Sequence, residues 1–349
     1  MADVKEQQLR EKIASQKASI VNLPTLTSIV DETGLSSPET KARAQLIKEL
    51  SDNEEQLELL IESERVAAVV RLQDELHPPE DSEDCPICLE TIKHVNNATT
   101  IRFYCCGGFT CTKCSDERMA KYRAEGFDEM YRGKCPLSCV CKGETLERDE
   151  SKYVHYLKEA ADLGHPRAQR LLALTYERQD NEKMLLHYIT LAASQGDSIA
   201  CCLLGGYFTN ADCGLPKSLI LAKHYSEKSL EVDSFDSISA YNFSLASLHL
   251  GLERYEGVLN IPGHSPIPTI LFWARKAQEG ESLPIKGGAT KLISIIEAKV
   301  KGHCANCRKE AECSSFKRCV RCLGAWYCGK ECQVQHWRAG HKVDCIKRK

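Results

Sequence analysis

The chain has 349 residues, 42% of them hydrophobic, and 46 Lys and Arg against 49 Asp and Glu for a net charge of −3. That is room for two or three domains around at least one sizeable core, without the basic field that non-specific phosphate binding requires. The opening MADVKEQQLREK carries no apolar run after a basic start, and no stretch approaches the roughly 18 to 20 continuous apolar residues of a membrane span. Nucleic acid as a default partner, a membrane and an oxidising compartment are therefore excluded as expectations. The expected location is intracellular, cytoplasmic and/or nuclear, where the 20 cysteines stay reduced and CxxC pairs point to metal rather than to crosslinks.

Residues 1–80 contain no cysteine and are rich in Leu, Ala, Glu, Lys and Gln, all good helix formers. A weaker helical segment is expected over residues 3–20, then a linker at Thr33-Gly34-Leu35-Ser36. Ser37-Pro38-Glu39 supplies an N-cap, a proline at the first helical position and an acid in the first turn. The long helix this starts runs over about 38–77, until Pro78-Pro79 stops it. Leu46, Leu50, Leu57, Ile61 and Leu72 can share an apolar stripe on it, either packed on the rest of the chain or offered to a coiled-coil partner.

The cysteines map the remainder. Nine lie between Cys85 and Cys141, three between Cys201 and Cys213, and eight between Cys304 and Cys345. The first group, over residues 81–147, reads Cys85-Pro86-Ile87-Cys88, Cys105-Cys106, Cys111-x2-Cys114 and Cys135-Pro136-x2-Cys139. This order resembles a RING finger with cysteine in place of its histidine. The resemblance implies one zinc on Cys85, Cys88, Cys111 and Cys114, and another on Cys105, Cys106, Cys135 and Cys139. It also implies that Ile87 and Pro136 contact a ubiquitin-conjugating enzyme, although both can equally pack around the zinc loops. Three features depart from the family. Cys105 and Cys106 are adjacent, a geometry that Gly107-Gly108 helps the backbone reach. The last pair is spaced x3, with Cys141 as a rival to Cys139. The arginine that often follows the last ligand in active ligases is replaced by Val140, or by Lys142 if Cys141 is the ligand.

Residues 150–300 contain an internal repeat. His155-Tyr156-Leu157 recurs 32 residues on as His187-Tyr188-Ile189, followed in register by Ala160/Ala192, Ala161/Ala193, Gly164/Gly196, Ala168/Ala200, Leu171/Leu203 and Leu172/Leu204. A period in the thirties marks a solenoid of helix pairs. The alanines let helices approach, the glycine ends the first helix, and Leu-Leu fills the core between repeats. The pattern resembles the Sel1-like repeat, a relative of the tetratricopeptide repeat. Lys217 to Leu230 starts a third copy, with Asp233 in place of the glycine, and Phe272 to Gly280 restates the motif a fourth time. Cys201, Cys202 and Cys213 lack ligand spacing and read as buried small hydrophobes.

The tail, residues 301–349, carries Cys304-x2-Cys307, Cys319-x2-Cys322, Cys328-x3-Cys332 and His341-x3-Cys345. Eight soft ligands in four pairs suit two tetrahedral zinc ions. The series resembles the MYND zinc finger, including Trp326-Tyr327-Cys328, Cys332-Gln333, Trp337 and His341-Lys342. That resemblance implies interleaved sites: Cys304, Cys307, Cys328 and Cys332 on one ion, Cys319, Cys322, His341 and Cys345 on the other. His336 competes with His341 for the ligand role, and Cys313 reads as a bystander. The family implies docking of proline-containing peptides, with Trp337 either an exposed contact or packed between the zinc loops.

The fold class that follows is mainly α: a helical solenoid flanked by two small cross-braced two-zinc modules, with a long N-terminal helix and four zinc ions in all. Fully coordinated zinc leaves no position for water, so no catalytic residue is assigned to the metals. Two functions are expected: a RING-type ubiquitin ligase whose repeats and C-terminal finger choose substrates, or a non-catalytic adaptor built from the same modules. A methyltransferase reading ranks last, since no segment resembles a SET domain.

Overall fold

The computed structural model describes residues 2–23, 38–77, 82–93, 99–102, 108–124, 150–232, 236–254, 266–280, 282–307, 309–310 and 316–346. Contacts divide the chain into two units, Arg65–Cys201 and Met1–Glu64 with Cys202–Lys349.

In the unit Arg65–Cys201, two short antiparallel hairpins come first: β1 (Glu83–Asp84) with β2 (Thr91–Ile92), and β3 (Thr100–Arg102) with β4 (Phe109–Cys111). The helix α3 (Thr112–Ala124) follows, then α4 (Glu150–Asp162), α5 (Pro166–Glu177) and α6 (Glu182–Ser194), which pack in series. The repeat glycines end these helices by one device. Gly164 adopts φ 89° and donates to the Ala161 carbonyl at 3.0 Å, while the N–H of His165 reaches back to Ala160 at 3.1 Å. Gly196 does the same at φ 84°, with its N–H on Ala193 and that of Asp197 on Ala192, both at 3.1 Å. Such a closed left-handed cap favours glycine because a β-carbon is strained there. Pro166 then opens α5 at a position where its missing N–H costs nothing.

Between the turns, Ala160, Ala161, Ala168, Ala192, Ala193 and Ala200 are all buried. Of each Leu-Leu pair only the second, Leu172 and Leu204, is fully buried; Leu171 and Leu203 lie at the margin. Tyr176 stacks on Tyr188 with centroids 5.9 Å apart and planes 7° from parallel.

The other unit contains α1 (Ala2–Val21), most of α2 (Pro38–Leu76), α8 (Leu219–Val232), α9 (Ser237–Arg254), α10 (Ile267–Glu279) and α11 (Leu283–Val300), with α8 to α11 again packed in series. Most of α7 (Ser198–Asn210) belongs to it as well. Here Phe208 stacks on Tyr225 at 5.8 Å and 7°, matching the Tyr176 pair one period earlier. The expected solenoid of helices is therefore present. Asp233 lies outside the described residues. Gly280 departs from its sequence reading: at φ −67° it needs no left-handed backbone, but a β-carbon on it would fall 2.4 Å from that of Ser237, so close approach is its role. Among the described residues no helix is long and apolar enough to cross a membrane.

The stripe expected on α2 is corrected. Leu46, Leu50 and Leu57 are half-buried, but Ile61 and Leu72 are exposed. The face turned inward is largely polar. Within the larger unit, Glu58 accepts from the Ser218 hydroxyl, and Glu62 from Tyr225 at 2.5 Å. Within the other, Arg65 donates to Thr190 at 3.1 Å, and Gln73 bridges the Asp162 carbonyl and the His187 ring, both at 3.0 Å. Glu62 follows Glu58 by four residues, Arg65 by three more and Gln73 by a further eight, close to whole helical turns, so the helical period was right and its chemistry was not. Each unit offers its own part of α2 polar partners, hydroxyls in both and also a carbonyl and an imidazole in Arg65–Cys201, and buried polar groups require polar partners. The first turns of α2 pair with α1 and the turn after it through a buried Asn53–Gln16 hydrogen bond of 2.8 Å and Arg43, which donates to the carbonyls of Ile20 and Leu23 at 2.7 Å, and Leu9, Ile13 and Ile47 are buried.

Gly205 and Gly206, neighbours on α7, separate the two uses of glycine. A β-carbon on Gly205 would sit 2.9 Å from the Ser226 hydroxyl and 3.2 Å from the Ala222 carbonyl, whereas on Gly206 it would meet nothing within 4 Å. Gly205→Ala is expected to lower unfolding free energy by about 1–3 kcal/mol through overpacking. Gly206→Ala should be neutral or raise it by up to about 1 kcal/mol through helix propensity. Urea titration of both variants checks the contrast.

Candidate metal centres

In the C-terminal module, β5 (Lys317–Arg318) pairs with β6 (Trp326–Tyr327), followed by α12 (Lys330–His336), a π-type turn at Trp337–His341 and α13 (Lys342–Asp344). The hairpin turn is a thiol knuckle. The N–H of Cys319 donates to Ala325 at 2.8 Å, Leu323 at φ 54° returns its N–H to the Cys319 carbonyl at 2.9 Å, and the Gly324 N–H points at the Cys322 sulfur at 3.4 Å. Gly340, at φ 153°, kinks the final helical segment just before His341.

Two ligand clusters result: Cys304, Cys307, Cys328 and Cys332, and Cys319, Cys322, His341 and Cys345, the donor atoms of each lying within 4.8 Å of one another. A tetrahedral zinc with Zn–S near 2.3 Å and Zn–N near 2.0–2.1 Å sets sulfurs about 3.8 Å apart and sulfur about 3.6 Å from nitrogen. Cys307 and Cys328 are 3.6 Å apart, Cys328 and Cys332 3.5 Å, and Cys319 and Cys345 3.8 Å. His341 Nε2 lies 3.6 Å from the Cys322 sulfur and 3.5 Å from that of Cys319. These separations are far beyond the roughly 2.05 Å of a disulfide, and the thiols are free.

The choice between histidines is geometric. His336 is buried, but its Nδ1 lies 3.0 Å from the Tyr327 hydroxyl and its ring stacks on His341 at 4.9 Å, so it braces His341 instead of joining the cluster. Trp337 is half-buried against the Cys319 cluster, edge-on to His341 at 6.0 Å, with the Arg321 guanidinium 5.9 Å above it. Cys313 lies outside the described residues.

The third cluster, Cys85, Cys88, Cys111 and Cys114, is in the other unit. Its knuckle repeats the one at Cys319: the Cys85 N–H donates to Glu90 at 3.0 Å, and Leu89, at φ 59°, donates to the Cys85 carbonyl at 2.8 Å. Cys88 and Cys111 are 3.8 Å apart. The shared Cys-x-x-Cys-Leu string, 85–89 and 319–323, was available in the sequence and is the signal its reading missed. Ile87 stands on this knuckle at 46% exposure beside Leu89 at 76%. Cys105, Cys106, Cys135, Pro136, Cys139 and Cys141 lie outside the described residues. Cys201 and Cys202 are buried and Cys213 half-buried, and among the described residues none of them joins a metal-binding cluster.

Electrostatics within the clusters calls for a cation. In the buried set, the Cys322 thiol, with help from His341 and backbone N–H groups, outweighs burial and holds Cys319 down at about 3, while Cys319 and burial push Cys322 up. Burial raises Cys304, but N–H groups of Cys307, Cys328 and Asn306 outweigh it and leave the thiol at about 7; Cys328 is pushed up by burial and by the thiols of Cys332 and Cys307. Cys85 is likewise raised by burial but held at about 6 by N–H groups of Cys111, Cys88 and Ile87, and Cys114 is driven up by burial and its three neighbours. One thiolate thus suppresses the next, a repulsion that a bound dication removes.

The module is also joined to the helices that precede it. Trp326, 5% exposed, lies in a core with Leu248, Ile267, Ile270, Leu271, Leu292 and Ile296, beneath the Arg318 guanidinium at 4.9 Å. Burial would raise the Glu297 carboxyl, but Arg318, Lys301 and Arg275 hold it below its ordinary value.

The family model for the MYND finger matches residues 304–345. Ubiquitin carboxyl-terminal hydrolase 16 of Arabidopsis thaliana is 44% identical over 43 residues, 12% of this chain and 4% of that protein. Ubiquitin C-terminal hydrolase 15 of Oryza sativa subsp. japonica is 45% identical over 55 residues, 16% of this chain and 5% of that protein. Ubiquitin carboxyl-terminal hydrolase 15 of Arabidopsis thaliana is 32% identical over 69 residues, 20% and 7% respectively. The chain therefore spans no more than 7% of the length of these relatives. Residues 304–345 are a MYND finger, and on that ground the chain is a zinc-binding protein.

Proposed function

We propose that this protein is a RING-type ubiquitin ligase in which Sel1-like repeats and the MYND finger recruit protein partners, among them proline-containing peptides. The observation that carries the reading is the Cys85–Leu89 knuckle, whose two thiols gather with those of Cys111 and Cys114 within 4.8 Å while Ile87 and Leu89 face solvent. An apolar pair raised on a rigid metal loop is a surface for another protein, and in this reading it grips a ubiquitin-conjugating enzyme.

Catalysis would then be positioning. The finger restricts the conjugating enzyme's thioester to a reactive geometry while a substrate lysine attacks, and no side chain of this chain becomes covalently bound. Zinc, when bound, supplies rigidity and neutralises the thiolates. Cys85, Cys88, Cys111 and Cys114 hold one ion of this finger and Cys105, Cys106, Cys135 and Cys139 a second; the MYND finger holds two more. The relatives that share the MYND finger are named as ubiquitin hydrolases, which places such a finger beside ubiquitin chemistry in other proteins. A second reading, a non-catalytic adaptor, is favoured by Val140 and Lys142 standing where active ligases carry arginine.

Native mass spectrometry of the full chain is expected to count four zinc ions; two would remove the first finger and three its second site. In autoubiquitylation with a panel of conjugating enzymes, Ile87→Ala should abolish chain formation. Because Ile87 is 46% exposed, stability should move by about 0.5 kcal/mol or less. Failure of the wild type with every enzyme would establish the adaptor.

A further inference from the structure

Arg275 and Glu297 belong to α10 and α11, outside the MYND finger, yet the hydrogen bonds of Arg275 end on its metal-binding loop and Glu297 holds Arg275 there. Arg275 Nη1 donates to the Cys322 carbonyl at 3.2 Å, and its Nη2 donates to Glu297 Oε1 at 3.1 Å and reaches the Leu323 carbonyl at 3.4 Å. Arg318, from the finger, donates through Nε to the same Leu323 carbonyl at 2.9 Å and through Nη2 to the same Glu297 oxygen at 2.8 Å. One carboxylate thus fixes two guanidinium groups, and both are spent on the two peptide units that follow ligand Cys322. The N–H side of this loop is already committed to Cys319 and to the Cys322 sulfur, so the helices supply its carbonyl side. Contact beneath is tight: a β-carbon on Gly324 would fall 2.9 Å from Pro268 Cα at the start of α10.

The two clusters of the finger differ in the same sense. All four residues of the Cys319 set are buried, whereas in the Cys304 set Cys328 is exposed and Cys307 and Cys332 are half-buried.

We infer that Arg275, held by Glu297, is a positioning residue of the Cys319–Cys322–His341–Cys345 zinc site, which therefore draws part of its metal affinity from the last helix pair of the solenoid. This rests on zinc occupying both clusters of the finger. Groups that orient metal ligands from outside typically contribute 10–100-fold to affinity. Because linkage is reciprocal, zinc at this site tightens α10 and α11 by the same factor with which they tighten zinc.

The test uses the zinc-loaded full chain, challenged with excess EDTA and pulsed with N-ethylmaleimide, with labelling read cysteine by cysteine by peptide mass spectrometry. Arg275→Ala is expected to accelerate labelling of Cys319, Cys322 and Cys345 by about 10–100-fold. Cys304, Cys307, Cys328 and Cys332 should label at the wild-type rate. Arg275→Lys, which keeps the charge but loses the planar fork, should fall between. Glu297→Gln should follow Arg275→Ala, while Arg338→Ala, an exposed site on the finger, should match wild type. Equal acceleration of both sets, or none, would overturn the proposal. Should Arg275→Ala lose helicity by circular dichroism, hydrogen exchange of the wild type decides: zinc removal must speed exchange in α10 and α11 more than in α8, and unchanged exchange there overturns it. A native mass spectrum with no zinc on the MYND finger would instead refute the metal assignment beneath it.

Discussion

Three or four thiols confined within a few ångströms cannot all ionise without a counter-charge, and as neutral groups they cannot all be satisfied. That constraint organises both cysteine-rich modules. The MYND finger contributes two-residue strands and helical segments of three to seven residues, too little secondary structure to bury a core of its own. Its small core is made of the ligands themselves, Cys304, Cys319, Cys322 and Cys345 around Tyr327. Metal binding and folding are one event there.

The solenoid solves a different problem with different means. Its helices approach through alanine and, at Gly205, through the absence of a side chain altogether. Stacked rings at Tyr176–Tyr188 and Phe208–Tyr225 tie the second helix of one repeat to the first of the next. The end of such an array leaves an apolar face that needs a cap. Trp326 provides it: the finger's hairpin inserts an indole into the core of α9, α10 and α11, and the Arg275–Glu297–Arg318 network seals the margin. Metal chemistry and repeat packing thus meet at one residue.

How far the sequence could be read depended on the range of the interaction. Helix-ending glycines were legible because a left-handed cap is a local requirement, met identically at Gly164 and Gly196. Gly280 carried the same letter for another reason, the nearness of Ser237, which no local rule encodes. On α2 the period was legible and the chemistry was not. Glu62 and Gln73 are buried because Tyr225 and His187 await them, over a hundred residues away. The assumption that a buried face is apolar put Ile61 and Leu72 where these polar residues belong.

By itself the sequence determined that cysteine and histidine pairs at x2 and x3 spacing would gather around metal, and that a 32-residue period would build stacked helix pairs. Both follow from covalent spacing and from the fixed geometry of a tetrahedral ion or a helical turn. The series of spacings already pointed to His341; tertiary structure decided that His336 braces it through stacking and the Tyr327 hydroxyl. Tertiary structure alone brought Arg275 across 47 residues to the carbonyl of Cys322. Spacing can specify which residues are able to bind a metal, but which of them are aimed, and what holds them there, is set by side chains that only the folded chain makes neighbours.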